Sequence, residues 1–193
     1  MGRKEEFDPQ VIATTLMGCV QETFEKMCHV SFSQTPEFHA KEIIEYDSRM
    51  RIFGLEKFNG PCYMSFLNFY FNQKDFEAKK CCGVMVLYIE EEAAEKLVRA
   101  LGQSGLDAED PEIILDTCGE FCNVIAGQFK NELRSFGYMD LVISAPLKYH
   151  NIIPEGVDFP YSEHKQYELM FYLWKQKVVV VDMVMAPVPH VTQ

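Results

Sequence analysis

DTCGEFCNVIAG, residues 116–127, decides how the rest of the chain is read. At about 100° per residue, offsets of four, seven and eleven return a helix to nearly the same angle. Asp116, Glu120, Asn123 and Gly127 therefore form one stripe, and Lys130 and Arg134 prolong it. Ile114, Leu115, Cys118, Cys122, Ile125, Phe129, Leu133 and Phe136 fall on the other side as a continuous apolar face. The spacing predicts a long, half-buried helix, opened by Asp110-Pro111-Glu112 as N-cap plus proline and stopped at Gly137. Its solvent side offers an acid, an amide and a glycine close enough together to act on one object.

Upstream, Asp8-Pro9 repeats the cap-plus-proline start, and Val11, Ile12, Leu16, Val20, Phe24 and Met27 give a first helix its apolar side. Residues 43–58 alternate well enough to hold one bent or interrupted strand around 50–55. Residues 62–71 and 81–89, rich in aromatic and β-branched side chains, read as two strands of a hairpin, the second covered on both faces. Glu90–Leu101 reads as a short helix with acids in its first turn and Gly102 after its last. Strands are expected at 138–145, 165–174 and 177–186, with a proline-rich loop before the second of them. No period recurs and no composition shift divides the chain. The reading is one α+β domain over 1–193, with a core over about 8–187, a frayed tail at 188–193, and helices on one face of an antiparallel-rich sheet in two layers.

A chain of 193 residues with 48% hydrophobic content can build one substantial core. Its formal charge of −11, with no basic run, argues against binding a nucleic-acid backbone. Apolar stretches such as Val178–Val181 fall far short of the roughly 20 residues of a membrane helix, and MGRKEEFDPQ lacks the apolar core of a signal peptide. The seven cysteines, at 19, 28, 62, 81, 82, 118 and 122, sit inside apolar segments, the usage expected of a reducing, cytoplasmic compartment. Zinc held by Cys118 and Cys122 with Cys81, Cys82 or His29 is the sharper alternative. Against it, both helix cysteines belong to the apolar face, neighbouring Cys81 and Cys82 point apart on a strand, and no CxxC pair exists.

Polar residues on a surface helix are ordinary, so the stripe needs a further argument. Asn is a weak helix former, and Gly costs about 1 kcal/mol relative to Ala in a helix interior. Asn123 and Gly127 thus forgo stability on an exposed face without structural return, and the glycine clears room for another backbone. An Asn amide can orient a water molecule without taking its proton, which suits phosphoryl transfer, where alignment outweighs basicity. GxSxG, Walker A and GxGxxG patterns are absent, and the histidines at 29, 39, 150, 164 and 190 show no helical pairing.

Asp116, Glu120, Asn123 and Gly127, followed by ISAP at 143–146, resemble the signature helix and subsequent turn of the CheC/CheX/FliY chemotaxis phosphatases. The single Glu/Asn pair is similar to CheX rather than CheC, because Glu22 and Glu25 in the first helix have no Asn to complete a second motif. The resemblance implies a CheX-like fold and hydrolysis of the aspartyl phosphate of a CheY-type response regulator. It implies that Glu120 pairs with the receiver's active-site lysine and that Asn123 aligns the attacking water. Asp116, Gly127, Lys130 and Arg134 become partner contacts. No cofactor of the chain's own is implied, since Mg2+ belongs to the receiver. The alternative is a non-catalytic receiver-binding or scaffolding protein of the same fold. A homodimer is expected as well, joined through the edges of the long apolar C-terminal strands.

Overall fold

The computed structural model describes residues 8–105, 107–159 and 164–188. Helix α1 (Pro9–Cys28) starts where the Asp8 side chain accepts from the Gln10 amide and ends at His29 in the left-handed conformation. The edge strand β1 (Glu37–Glu42), a small hairpin of β2 (Glu45–Tyr46) and β3 (Arg49–Met50), and the short helix α2 (Leu55–Phe58) lead into β4 (Cys62–Tyr70). After α3 (Gln73–Glu77), β5 (Gly83–Glu90) runs back beside β4. Helix α4 (Glu91–Ala100) and the 23-residue α5 (Pro111–Leu133) come next, α5 ending in a 3-10 turn capped by Gly137 at φ 95°. Four more strands complete the chain: β6 (Val142–Ile143), β7 (Leu147–His150), β8 (Lys165–Leu173) and β9 (Gln176–Met185).

The main sheet is antiparallel throughout, in the order β1-β8-β9-β5-β4, with β6 and β7 both paired to the outer edge of β4. Side chains alternate across it. Tyr63, Leu67, Phe69, Leu87, Phe171 and Val181 face α1, α4 and α5 and join their apolar sides in the larger core. Met64, Phe66, Val86, Tyr88 and Val180 face the other way and form a second core with Met50, Ile52, Val157 and Phe159. The architecture is the expected α+β arrangement, with the long helices on one face and irregular segments over the other.

Four local expectations change. The single strand centred on 50–55 is replaced by β3 and α2, because Met50 and Ile52 serve as lids on the second core and Met50 bridges Val157 instead of joining the main sheet. β1, with the sequence EFHAKE, has no counterpart among the expected strands: it is almost wholly exposed and charged, so no apolar alternation marks it. The strand expected at 138–145 contracts to Val142–Ile143, and β7 comes after it. β8 and β9 are interior strands, flanked by β1 and β5, so they offer no free edge to a second copy. The edge argument for a homodimer therefore falls, and the edge that β1 does expose carries Glu37, His39, Lys41 and Glu42, charges that discourage strand addition. The expected fraying of 188–193 lies outside the described residues beyond Val188, which packs against the larger core.

A shift of register sets the direction in which β7 points its side chains. Phe69 pairs with Ile143, but Phe66 pairs with Leu147, so one extra residue has entered the β6–β7 side between them. It is accommodated at Ser144-Ala145-Pro146, where the Ser144 backbone N–H donates to the Asn68 carbonyl at 3.0 Å and the Ser144 hydroxyl accepts from the Asn68 amide at 3.0 Å. Such a bulge turns every later side chain to the other face. Lys148 and His150 consequently oppose Ser65 and Tyr63 on the helix side of the sheet.

A buried ion cluster pins α2 to the second face. Lys57 Nζ contacts Asp182 of β9 at 2.8 Å and also Glu168 of β8, whose other oxygen takes Lys41 of β1. Burial would strip the Lys57 proton, yet Asp182 and Glu168 outweigh it and hold the ammonium above its ordinary range. Burial likewise raises Glu168, but Lys41 and Lys57 reverse the shift and keep it below the usual carboxylate range. Asp182, fully enclosed, stays raised by burial in spite of Lys57. Removing one member of such a cluster strands the others. Lys57→Met is expected to cost about 3–5 kcal/mol at pH 7 in denaturant unfolding. The cost should shrink as pH falls into the carboxylate range, where protons neutralise Asp182, left without its cation, and Glu168, left with Lys41 alone. A loss below about 1 kcal/mol at pH 7 would mean that the cluster is not held together by charge.

Candidate functional site

Helix α5 owes its orientation to its buried side. Phe121 packs on Phe24 of α1 with ring centroids 5.0 Å apart, and Phe129 stands edge-on to Phe69 of β4 at 5.9 Å. Ile114, Cys118, Cys122, Ile125, Ala126 and Leu133 are buried along the same side. Asp110 caps the N-terminus by accepting from the Glu112 amide at 2.9 Å, and Pro111 occupies the first turn. With that face fixed against the sheet, the opposite face is fixed toward solvent.

On that face the structure places Asp116, Glu120, Asn123 and Arg134 exposed, with Gly127 and Lys130 half-buried. Glu120 and Asn123 form no hydrogen bond or ion pair among the described residues. A side chain built at Gly127 would meet nothing within 4 Å among the described residues, so none of them fills the opening above it. Asp116 differs from its neighbours because it is already engaged, in an ion pair with Lys148 of β7. Neither Lys148 nor Gly119 stands out in the sequence pattern. Gly119 is buried, and a Cβ there would stand 2.5 Å from the Lys148 side chain, which crosses the helix at that point to reach Asp116. The two glycines of α5 thus clear space for different things, Gly119 for a lysine of the same chain and Gly127 for nothing among the described residues. The signal available in the sequence was the second glycine.

β7 is tied to the helical layer a second time. His150 Nε2 lies 2.6 Å from Glu91 Oε1 at the start of α4, and its ring stacks on Tyr63 with centroids 4.0 Å apart. Burial, with Glu91 adding to it, pushes Tyr63 up to about 12. His29 is spent as the left-handed cap of α1. His190 lies outside the described residues.

The cysteines are all free thiols within the cores. Burial pushes Cys122 up to about 12 and Cys118 higher still, which leaves both protonated and unreactive at neutral pH. Cys81 and Cys82 belong to opposite cores, Cys81 to the second and Cys82 to the larger one. Among the described residues no three His, Cys, Asp or Glu side chains gather as a metal site, and no helix is long and apolar enough to cross a membrane. What the solvent face of α5 can do is present a free carboxylate and a free amide, about one helical turn apart, to a surface that comes close over Gly127.

Comparison with known proteins bears on the segment around α5 and on the fold as a whole. The profile of the family described as chemotaxis phosphatase CheX matches residues 76–152, from within α3 to just past β7 and around the whole of α5. No curated protein matches the chain. Among solved structures it is similar to a chemotaxis protein CheX from Desulfovibrio desulfuricans, at 13% identity and TM-score 0.63, over 91% of this chain and 99% of that one. It is similar to a chain of the CheX-CheY-BeF3-Mg2+ complex from Borrelia burgdorferi, at 15% identity and TM-score 0.57, over 91% and 97%. It is also similar to FliY from Thermotoga maritima, at 16% identity and TM-score 0.55, over 93% and 92%. At these identities the structures speak for the fold, and the profile speaks for the helix that carries the stripe. The profile covers less than half of the chain, so what is shown is a CheX-like segment around α5 within a fold shared with CheX and FliY structures.

Proposed function

We propose that this chain is a phosphatase for the aspartyl phosphate of a CheY-type response regulator, working by completing the receiver's active site with Glu120 and Asn123. The observation that carries the reading is the pair itself: a carboxylate and an amide, both exposed, neither partnered among the described residues, beside a glycine with no described residue packed over it. The family profile adds a named activity class, and the Borrelia complex adds a relative of the same fold crystallised with CheY.

In this reading Glu120 forms an ion pair with a lysine in the receiver's pocket and sets the distance of approach. The Asn123 amide holds one water in line with the phosphorus of the aspartyl phosphate. Water oxygen bonds to phosphorus as the bond to the aspartate oxygen breaks, giving inorganic phosphate and a free aspartate carboxylate. Because the transition state is loose, no strong base is required, and an amide that cannot titrate suffices for positioning. The magnesium ion is the receiver's, where it neutralises phosphate charge. This chain's own residues supply alignment.

The test is release of inorganic phosphate from CheY-type receivers of the host, phosphorylated with acetyl phosphate. The wild-type chain should accelerate it for at least one receiver. Asn123→Ala should fold normally and slow that release by roughly 10²-fold or more, the scale of losing one positioning group. Glu120→Lys should abolish docking by setting like charges against each other. Acceleration of none of the receivers, with retained binding, would leave the chain a receiver-binding protein without catalysis. Gly127→Ala separates function from stability: it should stabilise α5 by about 0.5–1 kcal/mol through helix propensity while lowering activity by crowding the approach. A variant both more stable and fully active would show that nothing comes close there.

A further inference from the structure

At its C-terminal end the stripe runs into a cleft of about 740 Å3, walled by α3, the last turns of α5 and residues 139–142. Its lining carries Lys74 from α3, Lys130 from α5 and Arg134 from the 3-10 turn that follows it, together with Asn72, Asn131 and one carboxylate, Asp140. Three cations around one opening stand out in a protein of formal charge −11. Many cations elsewhere meet carboxylates of the chain, as Lys26 meets Glu22, Lys57 meets Asp182, Arg99 meets Glu109 and Lys148 meets Asp116, while Lys79, Lys80, Lys175 and Lys177, which have no ion pair among the described residues, stand away from this cleft. Among the described residues Lys74, Lys130 and Arg134 have no ion-pair partner. Lys74 belongs to an element that packs on β4 and β6, so the sheet, not the stripe, sets its position.

The distances suit a second contact on one partner. Lys130 and Arg134 follow Asn123 by seven and eleven residues along α5 and its closing turn, about 10–16 Å along the axis. A receiver docked by its phosphorylation pocket on Glu120 and Asn123 reaches that far without rearrangement. The face it meets is polarised. Asp116 is already neutralised by Lys148, leaving Glu120 as the free acid at one end and the unpaired cations at the other. A partner with a cation in its pocket and acids beside it fits this face in one orientation only.

Resting on the proposed phosphatase function, we infer that the cleft is a docking subsite that takes an acidic segment of the receiver next to its phosphorylation pocket and so sets the receiver's orientation on the stripe. Lys74 is the informative position, because it belongs to the cleft but not to the signature helix. The subsite acts on encounter and docking; alignment of water stays with Asn123. Its contribution is salt-dependent, because exposed charges are screened beyond about 10 Å at 0.1 M ionic strength.

The test uses the full chain and a CheY-type receiver phosphorylated with acetyl phosphate, with kcat and KM measured from 20 mM to 500 mM NaCl. Lys74→Glu is expected to raise KM about 3- to 10-fold at low salt, and Lys74→Glu/Arg134→Glu further, with the difference collapsing at high salt and the loss falling on KM rather than kcat. Lys74→Gln, which removes the charge without reversing it, should give a smaller shift in the same direction and serves if the reversal impairs folding. Wild-type KM and wild-type salt dependence in both the Lys74→Gln variant and the double reversal, with hydrolysis intact, would overturn the subsite and leave the phosphatase reading standing. If the wild-type chain hydrolyses nothing, titration with the beryllofluoride-bound receiver decides. Salt-dependent binding that weakens in the double variant supports the subsite alone, whereas equal affinity, or no binding, rejects it.

Discussion

The direction in which the candidate site points depends on one packing constraint: α5 has to bury a full side against the sheet. Phe121, Ile125 and Phe129 are fully enclosed, and each such side chain contributes about 1.5–3 kcal/mol when taken from water. Rotating the helix by one residue, about 100°, would pull them out and bury charged or amide groups in their place. The stripe is therefore aimed by the core, not by local contacts of its own. That explains how Glu120 and Asn123 can stand without partners and still keep a defined direction. Their freedom is confined to side-chain rotamers, while the backbone beneath them is held by the most strongly buried part of the fold.

The second face of the sheet obeys a different rule. With no helix layer over it, the lid formed by β2, β3, α2 and residues 157–159 has modest apolar area, and the ion cluster around Lys57 adds specificity of position. A lysine on a single-turn helix with two buried acids beneath it has one place to sit. Burial raises the cost of every wrong placement, which is the use of buried charge that physical chemistry best supports. The two faces of the sheet thus reach definition by opposite routes, one by area and shape, the other by charge.

The sequence disclosed the elements whose patterns are intrinsic. α1 and α5 were marked by Asp-Pro caps and a helical apolar period, and β4, β5, β8 and β9 by dense aromatic and β-branched composition. The stripe came from α5 alone, since its spacing is a property of the helix. What stayed hidden depends on other parts of the chain. β1 is a strand because β8 lies beside it, and nothing in Glu-Phe-His-Ala-Lys-Glu alternates. The segment of Met50 and Ile52 looked like a strand since lids and strands both need apolar residues. Lys148 could not be joined to Asp116 without the register of β7, and Lys74 could not be joined to Arg134 without knowing where α3 sits. The turn at Trp174-Lys175, both at positive φ without Gly or Asn, is a case where the pairing of β8 and β9 overrides local preference.

The single extra residue at Ser144-Ala145-Pro146 makes β7 a matter of parity. An odd insertion selects which of two interleaved sets of side chains meets the helices: Lys148 and His150, or Leu147 and Tyr149. As built, α5 and α4 receive a cation and an imidazole, each placed against a carboxylate, Asp116 and Glu91. Losing or gaining one residue in that turn would exchange the sets wholesale, offering leucine and tyrosine to two acids and turning lysine and histidine into the second core. Length in this short connection is thus under far tighter control than composition. A change that looks trivial in an alignment, one gap of one position, would rewire the border between the sheet and the helix that carries the candidate site.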